Sequence, residues 1–305
     1  MEKTVSVAPM MDCTDKHEIY FLSLISKNIQ LYTEMIVANA IIRGDRDKLL
    51  SFKKISNPVT LQVGGSNPDE LAEACKISED YGYNEINLNL GCPSKKVQKN
   101  KFGACLMQEP DLVGKCIEAM AKATKLPVTI KTRIGYNEVE DFEFLKSFIQ
   151  TTKDAGSKKF IIHARKAILK KLSPKENLNI PPLKYEFVYK LKEHFKNDEI
   201  IINGGIKSTD DIKEHLLKVD GTMIGRAIYH SPYFLAEIEK EIFNNKEVPT
   251  RSEVMEKLIP YIQEQTSKGI QLNHIMRHTV GLFHGQNGSR TWKQYLSKNM
   301  CIRDA

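Results

Sequence analysis

The sequence predicts a parallel (β/α)8 TIM barrel, an α/β fold, followed by a small C-terminal helical domain. Eight short segments rich in Val and Ile alternate with longer amphipathic stretches, which is the order of a parallel sheet covered by helices. About 230 residues hold all eight units, the usual size of a closed barrel. After Pro232 the pattern changes to helices without strands. We therefore place the barrel at residues 1–243 and the helical domain at residues 244–305, with 244–249 as the linker.

The candidate strands are apolar on successive residues, as strands buried on both faces should be. They cover residues 5–8, 31–33, 59–63, 85–90, 128–132, 159–163, 200–203 and 222–224. Helical patterns fill most of the gaps, at residues 67–81, 111–124, 140–155, 183–195 and 208–218. Asn67 and Pro68 start a helix, while Gly82 and Gly156 stop helices. A doubly wound open sheet is the alternative, but polar residues at the ends of the whole series of strands favour the barrel.

The composition is that of an ordinary globular enzyme. Hydrophobic residues make up 41% of the 305 residues, and no apolar run approaches the roughly 18–20 residues of a membrane-spanning helix. The N-terminus shows no secretory signal, so we expect a cytoplasmic protein. The six cysteines contain no Cys-x-x-Cys pair, which argues against a zinc site and gives no support for disulfides. The net charge of +7 permits binding to nucleic acid but does not show it.

Two predicted strand ends carry glycine turns, at the carboxyl edge where barrel enzymes place their active sites. Asn203-Gly204-Gly205 follows strand seven, and Gly225-Arg226 follows strand eight. Backbone N–H groups after these two strands often bind phosphate in such barrels. Either turn alone is compatible with a simple tight turn, but the two together favour a phosphate-bearing ligand. The pattern is not G-x-G-x-x-G, which argues against a Rossmann site.

Three further side chains at strand ends carry possible chemistry. Lys131 is costly to bury without an anionic partner, so it is a candidate for stabilising a reduced flavin or for forming a Schiff base; a salt-bridged lysine is the alternative. His163 is a candidate cofactor ligand or a buried core histidine. Cys92 lies in a Gly-Cys-Pro loop, where Lys95 and Lys96 would favour a thiolate. It is a candidate nucleophile or general acid, with an inert thiol as the alternative.

Seven ordered motifs resemble those of the tRNA-dihydrouridine synthases. They are VAPMMD at residues 7–12, LQVGG at 61–65, EINLNLGCPS at 85–94, KTRIG at 131–135, IHARKA at 162–167, NGGI at 203–206 and GR at 225–226. The stretch at residues 172–183, with Tyr185 after it, is similar to the A-type branch of that family. The resemblance covers essentially the whole chain, including the helical tail.

The resemblance implies an FMN-dependent oxidoreductase that NADPH reduces. Pro9, Met10, Met11 and Gln62 would contact the flavin ring, with Lys131 near its reduced portion. The residues expected at the ribityl chain and phosphate are His163, Asn203, Gly204, Gly205, Gly225 and Arg226. Hydride would pass to C6 of a uracil that has been flipped out of its stack, and Cys92 would protonate C5.

The same resemblance implies the D-arm of tRNA as substrate, with uridines 20 and 20a as targets. Asn89 would bind the uracil, and further tRNA contacts would come from Arg165, Lys166, Lys175, Leu178, Arg290 and Lys293. Leu178 departs from the branch, where a basic residue is expected, and Lys293 stands where arginine is usual. Trp292 and Tyr295 are candidates for base stacking, although a packed helix face is the favoured interpretation. We expect a monomer with no metal and no membrane partner.

Three rival functions stay open at this point. One is a flavin barrel that reduces a small molecule, which would need neither the basic loop nor the basic tail. Another is a flavin-free aldolase-type barrel with a Schiff base on Lys131. The third is an RNA-binding protein without catalysis, which would not need Cys92 and Lys131 together at strand ends.

Overall fold

A computed structural model describes residues 3–300, and in that part of the chain nine strands form one parallel sheet. The strands are β1 Thr4–Val7, β2 Leu31–Tyr32, β3 Ile36–Val37, β4 Val59–Gly64, β5 Glu85–Leu90, β6 Val128–Arg133, β7 Lys159–His163, β8 Glu199–Asn203 and β9 Gly221–Ile224. Their order is β1-β9-β8-β7-β6-β5-β4-β2. The two ends meet, because Val7 N–H donates to the Gln30 carbonyl (2.9 Å) and Gln30 N–H donates to the Val5 carbonyl (3.0 Å). The eight-stranded barrel is therefore confirmed, with the short β3 paired to the far end of β4.

All eight predicted strands are present, and none of their ends differs from the prediction by more than one residue. The helices are α1 Lys16–Ser23, α2 Ala38–Arg43, α3 Arg46–Leu50, α4 Pro68–Ser78, α5 Lys95–Lys99, α6 Pro110–Ala123, α7 Phe142–Asp154, α8 Tyr185–His194, α9 Thr209–Leu216, α10 Arg226–His230, α11 Phe234–Glu241, α12 Arg251–Ser267, α13 Leu272–Met276 and α14 Ser289–Asn299. Single 3₁₀ segments cover Glu79–Tyr81, Gly103–Gln108, Glu176–Leu178 and Arg277–Gly281. No helix among residues 3–300 is both long enough and apolar enough to cross a membrane.

Local chemistry explains where these helices begin and end. The Asn67 side chain accepts hydrogen bonds from the backbone at Asp69 and Glu70, so α4 starts there. Ser208 and Asp211 form a reciprocal capping box at the start of α9. Gly82 ends the turn after α4 in the left-handed conformation, with φ +87°, which glycine adopts at little cost.

A polar network closes the amino-terminal end of the barrel. The Glu85 carboxylate accepts hydrogen bonds from Thr129 Oγ1 (2.7 Å) and Tyr32 OH (3.1 Å), and it pairs with Lys159 Nζ (2.9 Å). Lys159 also lies 3.5 Å from Glu199. The next interior layer is a separate buried cluster of apolar side chains made of Ala8, Tyr32, Ile161, Ile201 and Met223. Because alternate strand residues face the interior, the polar groups two residues further along these strands lie at the opposite, carboxyl-terminal mouth.

The 3₁₀ segment Arg277–Gly281, which lies between α13 and α14, contacts the barrel through a cluster of charged side chains. Asp15, which caps α1, pairs with Arg277 Nη2 (2.6 Å) and with His278 Nε2 (3.1 Å). The other ring nitrogen of His278 lies 2.9 Å from the fully buried Glu18. The appended helices were predicted from the sequence; the domain boundary at residue 244 stays a prediction.

Candidate active site at the barrel mouth

The Cys92 loop is held by a row of side-chain amides from β4 and β5. Asn89 Oδ1 accepts hydrogen bonds from the backbone N–H of Cys92 (3.0 Å) and of Gly91 (3.2 Å). Asn89 Nδ2 donates to Gln62 Oε1 (2.8 Å), and Gln62 Nε2 donates to Asn87 Oδ1 (2.9 Å). Asn89 thus orients the turn that carries Cys92, and one of its two amide N–H groups remains for a ligand.

Packing from the following segment also fixes Cys92, whose side chain is half-buried. The Ala104 N–H donates to the Cys92 carbonyl (2.9 Å). Gly103 has φ +76°, and a Cβ there would lie 2.6 Å from the same carbonyl oxygen, so only glycine fits. Lys95 and Lys96, which the sequence suggested as neighbours of a thiolate, are exposed on α5. The basic side chains on the neighbouring strand are instead Lys131 and Arg133 of β6, and burial lowers the pKa of both.

Lys131 and His163 face the same space from neighbouring strands. Lys131 Nζ donates to Asn203 Oδ1 (3.1 Å), and Asn203 Nδ2 donates to the Met223 carbonyl (2.7 Å). Burial and the nearby Arg133 lower the pKa of Lys131 to about 7. Burial, Arg133 and Lys131 together hold the pKa of His163 well below its ordinary value, so its imidazole is neutral. Lys131 keeps N–H donors beyond the one used by Asn203.

Arg133 is the site residue that sequence reasoning left without a role. It is 3% exposed and donates to three backbone carbonyls, those of Gly91 (2.9 Å), Lys166 (3.1 Å) and Asn177 (3.2 Å). It therefore joins the Cys92 loop to the segment between β7 and α8. The sequence could have indicated this role, because Arg133 lies two residues after Lys131 on the same strand and both side chains therefore face the barrel interior.

The segment between β7 and α8 covers one side of the mouth. Arg165 Nη1 donates to the carbonyls of Asn179 (3.4 Å) and Pro181, and Arg226 donates to Asn179 Oδ1 (2.9 Å) and to the Leu178 carbonyl (3.3 Å). The side chain at 178 makes no part of this contact, so its unexpected leucine leaves the arrangement intact. Lys175 is exposed on the same segment.

The mouth carries an excess of positive charge. In residues 3–300 no carboxylate forms an ion pair with Lys131, Arg133, Arg165 or Arg226, although many other lysines pair in this way. Arg165 Nε is also buried without a hydrogen-bond partner. Buried donors and uncompensated cations are unfavourable unless an anion completes them. The site therefore fits an anionic, phosphate-bearing ligand.

Gly204, Gly205 and Gly225, which were predicted to lie at the ligand, differ in the space that the protein leaves for a side chain. Gly204 has φ +121° and Gly205 has φ +75°, and a Cβ at either position would collide with Leu183. These two glycines are thus required by the protein itself. At Gly225 the nearest atoms to a Cβ are Met10 Sδ (3.4 Å) and Ala8 Cβ (3.5 Å), which is ordinary contact. The fold alone leaves room for a methyl group at Gly225.

The loop after β1 lies beside Gly225 and carries the other predicted ring contacts. Met10 N–H donates to Thr14 Oγ1 (3.0 Å), and the Met10 carbonyl accepts from the backbone of Cys13 and Thr14. Met11 is 52% exposed, whereas Pro9 and Met10 are half-buried. The loop is thus a fixed turn whose side chains border the mouth.

Candidate tRNA contacts outside the mouth fall into two groups. Lys166 Nζ pairs with Glu140 (3.2 Å), which Lys184 shares (3.4 Å), so its charge is already compensated. On α14, Arg290 and Lys293 are exposed. Trp292 packs against Phe283 with ring centroids 5.2 Å apart and donates from Nε1 to the Thr279 carbonyl (3.0 Å), which is the packed-face arrangement favoured from the sequence. Tyr295 is instead 61% exposed, so the packed-face interpretation was wrong for this residue.

Comparison with known proteins decides between the rival chemistries. The family model described as dihydrouridine synthase (Dus) matches residues 6–303. The chain belongs to the dihydrouridine synthase family. It is 49% identical over 302 residues to the tRNA-dihydrouridine(20/20a) synthase of Synechocystis sp., covering 99% of this chain and 90% of that one. The proteins of the same name from Shewanella oneidensis (49%, 98% and 89% covered) and Yersinia pestis (50%, 96% and 86% covered) are similar throughout.

Membership of the dihydrouridine synthase family argues against the aldolase-type interpretation. A lysine whose pKa is about 7 would also suit a Schiff base. The family match extends over the whole site and the helical tail, and no part of it favours a Schiff-base enzyme or a binding protein without catalysis.

Proposed function

We propose that this protein reduces uridines in the D-loop of tRNA to 5,6-dihydrouridine, at positions 20 and 20a as the names of its relatives state. One observation carries the proposal beyond family membership. Cys92 is fixed at the barrel mouth beside Lys131 and Arg133, which form no ion pair with a carboxylate within residues 3–300. A proton donor and a site for anions are what the reduction of a uracil by a phosphate-bearing cofactor requires.

FMN fits the mouth, and when bound and reduced by NADPH it supplies the hydride for C6 of the uracil. Gly225 leaves backbone space, while Arg226 and His163 provide donors for the phosphate end. Pro9, Met10, Met11 and Gln62 would hold the flavin ring, with Lys131 at its anionic edge. Asn203, Gly204 and Gly205 would hold the ribityl chain.

Cys92 completes the reaction as the general acid at C5. Asn89 fixes the backbone of the loop, so that the thiol stays directed at one face of the bound base. The remaining Asn89 N–H is available to a uracil carbonyl. Because uracil is stacked in folded RNA, the base must be extruded to reach the thiol.

The basic residues outside the mouth would hold tRNA through its phosphates. Arg165, Lys175, Arg290 and Lys293 are placed for this role, and Lys166 would first have to leave Glu140. A tRNA substrate implies a cytoplasmic enzyme, and we propose that it acts as a monomer.

The test is a spectrum and an assay on the purified protein. We expect a visible flavin spectrum and NADPH-driven formation of dihydrouridine in the D-loop of cognate tRNA. Cys92→Ala should lose most of the rate, on the order of 10²–10⁴-fold, which is the usual contribution of a positioned acid. Cys105→Ala is the matched control, because Cys105 is a half-buried thiol on the next segment. A protein that binds no FMN and forms no dihydrouridine would refute the proposal.

A further inference from the structure

Six lysines that the proposed reaction does not use lie on two segments at the barrel mouth. Lys95, Lys96 and Lys99 are on α5, directly after the Cys92 loop, and Lys101 follows them. Lys170 and Lys171 lie on the segment between β7 and α8. All six side chains are exposed. We call this set the lysine rim.

The two halves of the lysine rim belong to one packed surface. Gln98 Nε2 donates both to the Pro93 carbonyl and to the Leu169 carbonyl, each at 2.8 Å. Beneath this bridge Ala104, Ala167 and Leu169 form a buried cluster. The two segments are therefore fixed against each other, and their lysines point out from a common support.

No acidic residue offsets the lysine rim. Residues 93–108 and 164–175 contain no Asp or Glu. Within residues 3–300 none of the six lysines forms an ion pair, whereas Lys122, Lys146 and Lys268 pair with carboxylates on their own helices. The neighbouring Glu176 already accepts a hydrogen bond from the Ser173 N–H (2.7 Å). Like charges at this density repel one another, so the rim favours contact with a polyanion.

The position of the lysine rim relative to the C-terminal helices shows which part of a polyanion would reach it. The C-terminal helices dock on α1 and α10, which follow β1 and β9. The rim follows β5 and β7. In the closed order β1-β9-β8-β7-β6-β5-β4-β2, strands β5 to β7 lie across the barrel from β1 and β9. The mouth therefore lies between the rim and the helices that carry Arg290 and Lys293.

We propose that the lysine rim is a second contact for the RNA backbone, which holds tRNA phosphates on the side of the mouth opposite α14. The inference rests on the proposed function and deepens it, because an RNA whose uridine reaches Cys92 must pass the adjoining α5. Lysine is a flexible point charge, which suits phosphates rather than base edges. Around the lysines, residues 93–108 and 164–175 expose no large apolar side chain of the kind that a protein interface buries.

The experiment compares two variants with equal loss of charge. K95Q/K96Q/K170Q/K171Q removes four rim charges. The control K3Q/K158Q/K196Q/K218Q removes four exposed lysines that lie close before β1, β7, β8 and β9, at the opposite end of the barrel. Affinity for an unmodified D-loop-bearing tRNA transcript is measured from about 50 to 200 mM salt. Flavin spectra and circular dichroism establish that both variants are folded, and K95R/K96R/K170R/K171R tests whether charge alone suffices.

The rim variant should show a flatter salt dependence, by about 0.7–0.9 in the slope of log K against log salt for each lost phosphate contact. Its Kd at about 100 mM salt should rise by roughly tenfold or more, while the control and the arginine variant stay close to wild type. An unchanged slope, or equal effects in rim variant and control, would overturn the inference. Dihydrouridine formation by the wild type is scored separately. A flatter slope without any product would refute the reaction and leave the RNA surface standing.

Discussion

Raising the pH from 6.5 to 9 should weaken the attachment of the C-terminal helices to the barrel. The nearby carboxylates of Asp15 and Glu18 overcome the cost of burial and raise the pKa of His278 from 6.5 to about 9. Between these two values the folded protein holds a proton on His278 that the unfolded chain releases. Stability from this group is fully present below pH 6.5 and is lost as the pH rises through 9.

The size of the effect follows from the same two values. One proton fewer in the unfolded state lowers the free energy of unfolding by about 1.4 kcal/mol for each pH unit. Over the interval between the two pKa values the loss comes to about 3 kcal/mol. Buried cysteines add to the decline above about pH 8.5, because burial raises the pKa of Cys116 to about 11. The wild-type curve alone therefore does not isolate His278.

The assay is urea unfolding at several pH values for wild type and for His278→Gln. The difference in unfolding free energy between the two proteins should shrink by about 3 kcal/mol between pH 6.5 and 9.5. His215→Gln is the matched control, because burial lowers the pKa of His215 and its ring is neutral across this interval. A constant difference between wild type and His278→Gln would show that the cluster does not bind a proton as described.

Three more predictions concern the mouth. Gly225→Ala should bind FMN at least tenfold more weakly in equilibrium dialysis, while its midpoint of urea unfolding stays unchanged. Gly205→Ala should instead lose about 1–3 kcal/mol of stability in urea unfolding, because residue 205 has φ +75° and its Cβ position is blocked. FMN affinity should fall with increasing pH above about 7, because an anionic ligand binds protonated Lys131, and Lys131→Gln should remove this slope in the same titration. Arg133→Met should slow dihydrouridine formation by about 100-fold through displacement of the Cys92 loop, and the rate of Cys92 alkylation should rise; an unaltered alkylation rate would contradict that account.

The fold was predictable because its strands leave a strong local signal. Strands buried on both faces are apolar on every residue, and each is followed by a helix with its own cap, as at Asn67 and Ser208. The closure of the barrel depends instead on the contact of Ser6 with Gln30, which no local pattern contains. We predicted the closure from the number of strand–helix units and from the polar residues at the strand ends.

The site was predictable only as far as strand ends show which residues gather at the mouth. Partners from distant segments are not visible in the sequence. Glu140 compensates the charge of Lys166. The carbonyl of the fully buried Asn177 accepts a hydrogen bond from Arg133. Arg133 was assigned no role, because its function is to hold backbone carbonyls from two loops that only the folded chain brings together.

The network around Glu85 and Lys159 has a consequence for the order of events. With the amino-terminal end closed by that network and a layer of buried side chains above it, residues 3–300 leave the carboxyl-terminal mouth as the entrance to the barrel interior. Under the proposed function, NADPH and tRNA would both have to reach the site through this mouth, and a bound tRNA would block the access of NADPH. We therefore expect ping-pong kinetics, in which the first product leaves before the second substrate binds. Double-reciprocal plots of the initial rate should then be parallel lines.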